Sequence, residues 1–283
     1  MSDMNIQLFI VDPQNDFCNP KGSLWVPGAD EDMKRLAAMI RRTKGKLSDI
    51  HVTLDSHHLL DISHPTMYKR VSDGAAPNPF TILGLDNGKI VKCDMDAAGQ
   101  KIPTTEEYTT TRLSFLQKVT DYLAALDAAK RYPHLIWPLH CLIGSWGACI
   151  VPELLDAIHE WESMIAKTNY VTKGSNIFTE HFSGIKAEVP DPDDPTTQIN
   201  TGLIQTLEKA DIIAFTGEAS SHCVYHTCKD IVLGFSDAGY ASKIVLLKDC
   251  MSPVPGFEFL ADGFFKEMQA LGVKVSDSAS FLA

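Results

Sequence analysis

A cysteine in the C-terminal third of the chain stands where a helix is predicted to begin. Cys223 follows the apolar run DIIAFTG (211–217) and a cluster of small residues, and a helical pattern starts at the cysteine itself. Unpaired N–H groups at a helix N-terminus favour a thiolate, and they can hold the oxyanion that forms when a thiolate attacks a carbonyl. The position indicates a nucleophile, although a single cysteine there is more often a buried apolar thiol.

Two further reactive side chains end predicted strands. Asp12 ends QLFIVD (7–12), and Lys173 ends KTNYVTK (167–173). Open α/β sheets bind ligands beyond the C-terminal ends of their strands, so both side chains are expected on the same rim as Cys223. A thiol needs a base to take its proton, and a carboxylate beside an ammonium can take and return one. The alternative is a turn-forming aspartate and a solvated lysine.

A second group of residues, made up of one aspartate and several histidines, has the side chains that bind a divalent metal. Asp55 and His57 are two residues apart in the extended segment LDSHH, so both side chains point to one side. His140, in WPLHC, could reach the same rim, and His64 lies close in sequence. One aspartate with two or three histidines matches the ligands of Zn²⁺, with Fe²⁺ or Mn²⁺ as alternatives.

Short apolar strands alternate with helical segments along most of the chain. Strands are predicted over 7–12, 51–55, 135–138, 167–173, 211–217, 243–249 and 273–277. Helical patterns cover 30–47, 112–130, 151–164, 200–210, a segment from 223, and roughly 257–271. This alternation predicts an α/β fold: a doubly wound open parallel sheet with helices on both faces.

The pattern breaks down between about 65 and 134. There SDGAAPNPFTILGLDNGK (72–89) is predicted to be loop, and 112–130 to be an amphipathic helix that packs on the main domain. We therefore expect one domain over 1–283 with an insertion at about 65–134.

Composition excludes several classes of partner. The net charge of −11 argues against unspecific binding to nucleic acid or to an anionic membrane. The chain has no run of about 18 apolar residues, and its N-terminus has no signal-peptide pattern. Seven cysteines, an odd number without a CxxC pair, suit free thiols. We expect a cytoplasmic protein that acts on a small molecule.

Seven short motifs together carry a family resemblance. In chain order they are IVDPQNDFC, GSLWVPGA, LDSHH, WPLHC, GSWGA, YVTKG and GEASSHCV. With these motifs the chain resembles the isochorismatase-like cysteine hydrolases, most closely the nicotinamidases. The resemblance implies Cys223 as nucleophile, Asp12 as general base and then acid, and Lys173 as the cation of the triad. It also implies a cis peptide between Glu218 and Ala219, which would aim the N–H groups of Ala219 and Cys223 at the oxyanion.

The resemblance further implies a bound divalent metal, with Asp55, His57 and His140 as ligands and His64 as a further candidate. Two features depart from the nicotinamidase pattern. Those enzymes usually have an aromatic residue and a proline around the first histidine, where this chain has serine and histidine, and the segment between His57 and His140 is far longer here. Substrate identity is therefore less firmly predicted than reaction type.

The resemblance places Phe17, Trp137 and His222 where such enzymes sandwich the nicotinamide ring, and aromatic faces with a polar edge suit that purpose. The predicted function is hydrolysis of nicotinamide or a similar small amide to the acid and ammonia, by a homo-oligomer, as is common in the family. Two alternatives stay open: a metal-independent hydrolase of a linear carbamoyl or ureido amide, and a catalytically silent ligand-binding protein. The family branch that acts on isochorismate without a cysteine is disfavoured by Cys223.

Overall fold

The structure is a computed structural model that describes residues 4–97, 99–164 and 166–283; Ala98, within the predicted insertion, lies outside these ranges. The strands are β1 (Ile6–Val11), β2 (Asp49–Asp55), β3 (Tyr68–Arg70), β4 (Ile82–Asp86), β5 (Lys89–Met95), β6 (Lys101–Thr110), β7 (His134–Leu135), β8 (Asn169–Lys173), β9 (Ile212–Gly217), β10 (Ile244–Leu247) and β11 (Lys274–Ser276). The helices are α1 (Asn15–Cys18), α2 (Ala29–Thr43), α3 (Leu116–Ala128), α4 (Pro152–Glu162), α5 (Thr201–Glu208), α6 (Cys223–Gly234) and α7 (Glu258–Ala270).

Six parallel strands form the main sheet of the described chain, in the order β11-β10-β9-β1-β2-β8. The strand order reverses at β1, because β2 lies on one side of it and β9, much later in sequence, lies on the other. This is the doubly wound arrangement that the alternation of strands and helices predicts, and the predicted fold class is confirmed.

Side chains of the central strand alternate between two hydrophobic clusters, one on each face of the sheet. Leu8 and Ile10 of β1 pack in a cluster that includes the buried faces of α2 and α4. Phe9 and Val11 pack on the opposite face, in a cluster with residues of α5, α6 and α7. Because both faces are covered, β1 is buried at every position and apolar at all but Gln7, as expected for a central parallel strand.

A second sheet corrects the prediction of a loop over 72–89. Its strands run in the order β3-β6-β5-β4-β7, and each neighbouring pair is antiparallel. β4 and β5 are joined at Asn87 and Gly88, which have φ values of 49° and 79°. An Asn-Gly pair with two positive φ angles is the preferred two-residue hairpin turn, so the glycine that suggested a loop in fact marks a hairpin.

The strand predicted over 135–138 is also corrected. The structure has the shorter β7, which pairs with β4 in the second sheet and not with the main sheet. Beyond it the chain leaves the ladder, and the N–H of Trp137 donates to the carbonyl of Ser63 at 2.8 Å. A short apolar run does not reveal which of two sheets it joins, because its pairing partner is distant in sequence.

The register of the main sheet brings distant residues together at one edge. Val11 pairs with Gly217 across β1 and β9, and Asp55 pairs with Lys173 across β2 and β8. The C-terminal ends of these four strands therefore meet side by side. Among the described residues, no helix has the length and apolar character that crossing a membrane requires.

Candidate active site

Three strand ends and one helix start meet at this edge of the main sheet. Asp12 directly follows β1, Asp55 and Lys173 are the last residues of β2 and β8, and Cys223 is the first residue of α6. Asp12 has a φ of 45°, a left-handed conformation that few residues with a side chain adopt. Such backbone conformations occur mainly where the surrounding structure enforces them, as at active sites.

Lys173 is the electrostatic centre of the group. Its ammonium nitrogen lies 2.9 Å from Asp12 Oδ2 and 3.0 Å from Asp55 Oδ1, and it donates to the carbonyl of His181 at 2.9 Å. The same nitrogen is 3.7 Å from the sulfur of Cys223. Burial works to lower the pKa of Lys173, but the two carboxylates raise it well above its ordinary value. The lysine is therefore a permanent cation between two carboxylates and a thiol.

Asp12 is held by a neighbouring threonine as well as by the lysine. The hydroxyl of Thr53 donates to Asp12 Oδ1 at 2.6 Å, and the N–H of Asp12 donates back to the same hydroxyl at 3.0 Å. Burial raises the pKa of Asp12, while the ion pair with Lys173 and the bond from Thr53 oppose that rise. A carboxylate with a raised pKa is a stronger base than a solvated one.

Burial and charge act in opposite directions on the thiol of Cys223. Burial raises its pKa well above the ordinary value; Lys173 acts in the opposite direction, and the charge of Asp12 raises it further. The helix start and the lysine therefore do not by themselves produce the thiolate that the sequence pattern suggested. A base must remove the proton as the sulfur reacts, and Asp12 is placed for that task.

The turn between β9 and α6 presents two unused N–H groups. Gly217 has a φ of 119°, and a Cβ there would lie 2.1 Å from the carbonyl oxygen of Val11, so only glycine fits. The peptide bond between Glu218 and Ala219 is cis. Within the described residues, neither the N–H of Ala219 nor that of Cys223 donates to an acceptor. Two such donors beside a nucleophile can hold an oxyanion.

The acidic and histidine residues form a compact group beside the lysine. One ligand atom from each of Asp55, His57 and His140 lies within 4.8 Å of the others. The Nε2 atoms of His57 and His140 are 3.0 and 3.3 Å from Asp55 Oδ2. Two imidazoles and one carboxylate, all buried, make a donor set that fits Zn²⁺ or another divalent transition metal.

The opposite nitrogens of the two imidazoles are already engaged. His57 Nδ1 lies 3.1 Å from Asp61 Oδ2, and His140 Nδ1 lies 2.8 Å from the carbonyl oxygen of Pro138. In metal sites the second ring nitrogen usually donates in this way, which leaves Nε2 as the ligand atom. The carboxylates of Asp55 and Asp61 raise the pKa of His57 well above its ordinary value even though burial lowers it. The site therefore attracts positive charge.

His64 lies beside this group without completing it. Its ring centroid is 5.0 Å from that of His57, and its Nε2 is 3.3 Å from Nδ1 of His140, the nitrogen turned away from Asp55. Among the described residues the converging ligand atoms come from Asp55, His57 and His140. His64 therefore contacts His140 on the Nδ1 side of its ring, away from the nitrogen that faces Asp55.

Three aromatic residues predicted at the substrate line an inner pocket that also contains Cys223. The pocket has a cavity of about 30 Å³. Phe17 lies beside the candidate metal ligand His140, with the two ring centroids 5.4 Å apart. The rings of Trp137 and His222 contact each other edge to face, with centroids 5.1 Å apart. That the three residues sandwich a substrate ring stays a prediction.

Comparison with known proteins places this arrangement in a known fold. The nicotinamidase of Saccharomyces cerevisiae is 22% identical over 272 residues, which cover 95% of this chain and 98% of the relative. The solved Acinetobacter baumanii nicotinamidase/pyrazinamidase superposes with a TM-score of 0.62 at 20% identity and covers 99% of this chain and 100% of its own. The Pyrococcus horikoshii pyrazinamidase, solved in complex with zinc, superposes with a TM-score of 0.55 at 18% identity, over 96% and 99%.

The chain has the isochorismatase-like fold of the nicotinamidases. The resemblance inferred from the seven motifs is confirmed by these comparisons. No family model matches the sequence.

One residue that positions the site in this isochorismatase-like chain was not singled out from the sequence. The side chain of Gln14 donates to the carbonyl of Asp55 at 2.7 Å and accepts from the N–H of Asp55 at 2.7 Å. This pair of hydrogen bonds fixes the backbone of Asp55, a candidate metal ligand. Its signal was present, because Gln14 lies inside the motif IVDPQNDFC.

A second unpredicted residue, Glu180, lies in the wall of the inner pocket. The side chain is buried, and its Oε2 atom has no hydrogen-bond partner within the described chain. Burial raises the pKa of this carboxyl to about 7. The sequence gives no local signal for it, since Glu180 lies in an irregular segment after β8.

Proposed function

We propose that this chain is a cysteine amidohydrolase that converts nicotinamide, or a closely similar planar amide, to its carboxylic acid and ammonia. One observation carries the proposal: the Cys223 sulfur is 3.7 Å from the Lys173 ammonium, which is itself 2.9 Å from the Asp12 carboxylate. The relatives support the reaction class, because the matched proteins are nicotinamidases and pyrazinamidases that share the fold over nearly the whole chain.

In the first half of the reaction, Asp12 takes the proton of Cys223 as the sulfur attacks the carboxamide carbon. The carbonyl oxygen becomes an oxyanion that accepts from the N–H groups of Ala219 and Cys223. Asp12 then transfers its proton to the amide nitrogen. The C–N bond breaks, ammonia leaves, and a thioester remains on Cys223.

The second half of the reaction uses the same residues in the same order. Asp12, again a carboxylate, takes a proton from a water molecule that attacks the thioester carbon. The second tetrahedral species collapses, the C–S bond breaks, and the proton on Asp12 returns to the sulfur. Lys173 stays charged throughout and stabilises Asp12 as an anion between proton transfers.

Asp55, His57 and His140 would hold a divalent metal, for which we propose zinc. The chemistry of this donor set supports the proposal, as does the zinc complex of the Pyrococcus pyrazinamidase. A bound Zn²⁺ supplies positive charge and open ligand positions beside the inner pocket. The protein's own part is to fix the two imidazoles through Asp61 and Pro138.

The first experiment measures ammonia release from nicotinamide, pyrazinamide and an N-carbamoyl compound. Cys223→Ala should lower kcat by a factor on the order of 10⁴ or more, because no other group can form the thioester. The matched control is Cys149→Ala, which removes an exposed thiol. Retained turnover in Cys223→Ala would refute the mechanism, and turnover of the N-carbamoyl compound alone would favour the ureido alternative.

A further inference from the structure

A larger cavity adjoins the inner pocket. We call it the outer chamber; it has a volume of about 540 Å³ and shares Trp137, Phe182 and His222 with the inner pocket. The two cavities therefore adjoin at these three residues, and Cys223 lines the inner one. A ligand group in the outer chamber would lie next to any group that occupies the inner pocket.

The walls of the outer chamber come from parts of the chain outside the triad and the metal group. Ile82 belongs to β4, Tyr132 and Leu135 lie in and before β7, and Phe257 and Leu260 lie at the start of α7. The second sheet thus forms one side of the chamber and the C-terminal helix forms another. Neither segment contributes to the proton transfers described above.

The lining of the chamber is mostly apolar and aromatic, and Asp96 adds one carboxylate. The described lining residues include no lysine or arginine that could pair with an anion. Phe259 and Met95 also line it and are 67% and 39% exposed, which places its outer end at the protein surface. A cluster of aromatic side chains that is exposed to solvent is typical of a ligand-binding surface.

The volumes of the inner pocket and the outer chamber limit which part of a substrate each can hold. About 30 Å³ holds little more than a water molecule or a carboxamide head, whereas about 540 Å³ lies in the range of pockets that hold drug-sized ligands. We propose that the outer chamber is a substrate subsite for the aryl part of an extended primary carboxamide, whose head reaches Cys223. This inference rests on the proposed amidase function and narrows its substrate class.

The test compares benzamide with biphenyl-4-carboxamide. Burial of apolar surface increases binding by about fourfold per methylene-sized group, so the biphenyl amide should have a kcat/KM higher by at least about tenfold. Leu260→Glu places a second carboxylate in the chamber and should lower kcat/KM for the biphenyl amide by at least about tenfold more than for benzamide, which reaches less of the chamber. Leu233→Glu is the control, since Leu233 is an exposed apolar residue on α6 that does not line the chamber.

A binding measurement separates failure of the subsite from failure of the amidase. Calorimetry with Cys223→Ala should show tighter binding of biphenyl-4-carboxamide than of benzamide, with a more negative heat-capacity change, and Leu260→Glu in that background should abolish the difference. If neither amide is hydrolysed but this pattern is found, the subsite stands and the amidase fails. Equal turnover or equal binding of the two amides in the chain with Leu260 would overturn the subsite.

Discussion

At the scale of single residues, burial and the charge of Lys173 shift the pKa values of Asp12 and Cys223 in opposite directions. Burial raises the pKa of both Asp12 and Cys223, which favours the neutral forms, and Lys173 favours the charged form of each. Because the pKa of each group is raised beside one fixed cation, the two acidic groups can exchange a single proton at little electrostatic cost. The arrangement supports a proton shuttle more than a preformed thiolate.

Thr53 tunes this balance, which leads to a prediction about pH. Its hydroxyl donates to Asp12 and so stabilises the charged carboxylate, which lowers the pKa. In Thr53→Val the pKa of Asp12 should rise, because the charged form loses a donor. Asp12 must be ionised to act as base, so the acidic limb of kcat/KM against pH should move to higher pH. Turnover at neutral pH should fall by about tenfold to a hundredfold.

Thr53→Ser is the matched control because it keeps the hydroxyl. Its pH profile should follow that of the unmodified protein. If the valine variant has a lower rate but an unmoved acidic limb, Thr53 serves packing alone and the assignment of Asp12 as the base is weakened.

At the scale of elements, the hairpin between β4 and β5 gives a test of backbone conformation. Gly88→Ala should destabilise the protein by about 1–2 kcal/mol, because φ at Gly88 is 79° and a side chain is strained there. A Cβ at this position would meet nothing within 4 Å, so the cost comes from the backbone alone. Urea unfolding should show a lower midpoint with an unchanged m value.

A glycine-to-alanine substitution inside a helix should change the free energy of unfolding in the opposite direction. Gly263 lies inside α7, where a Cβ also meets nothing within 4 Å. Gly263→Ala should therefore stabilise by about 0.5–1 kcal/mol, since alanine has the higher helix propensity. Equal effects of the two substitutions would show that the turn at Gly88 does not have the left-handed conformation.

The elements also show why sequence patterns predicted one sheet and not the other. Strands such as β1 are short, largely apolar runs, and β1 has Gln7 as its one polar residue; that local signal suffices to predict a buried parallel strand. Strand β4 follows prolines and glycines that outweighed its apolar residues, and β7 is only two residues long. The Asn-Gly pair between β4 and β5 was the signal that could have predicted the hairpin.

The residues of the candidate site also divide into those that the sequence pattern predicts and those that it does not. Asp12, Lys173 and Cys223 were predictable because each stands at the end of a strand or the start of a helix, where a fold of this class brings side chains together. Thr53 acts through a tertiary contact instead, since it is 41 residues from the aspartate to which it donates. Glu180 lines the inner pocket from an irregular segment. Single-sequence reasoning has no access to such pairs.

At the scale of the whole molecule, the doubly wound sheet gathers two sets of charged side chains onto one rim. Asp12 and Lys173 lie at the ends of β1 and β8, and Cys223 begins α6 after β9. The candidate metal ligands begin with Asp55 at the end of β2. Lys173 touches both sets, because it pairs with Asp12 and Asp55. The single domain with an insertion, the cytoplasmic location and the homo-oligomer stay predictions.

Metal binding at this rim should be visible as stability of the entire fold. A ligand that binds only the native state stabilises it by about 2.7 kcal/mol at a concentration of a hundred times Kd. After dialysis against a chelator, ZnCl₂ should therefore raise Tm in scanning calorimetry by several degrees. His140→Ala should abolish the rise, because it removes one of the three converging ligand atoms.

Two further histidine variants make this result specific. His159 is exposed on α4, far from the group in sequence, so His159→Ala should keep the full rise in Tm. His64→Ala should also keep most of it, because Nε2 of His64 faces Nδ1 of His140 and not the converging atoms. A rise lost in His64→Ala would make His64 a fourth ligand. If ZnCl₂, FeCl₂ and MnCl₂ all leave Tm unchanged in the unmodified chain, the carboxylate and imidazoles serve only to hold Lys173 in place.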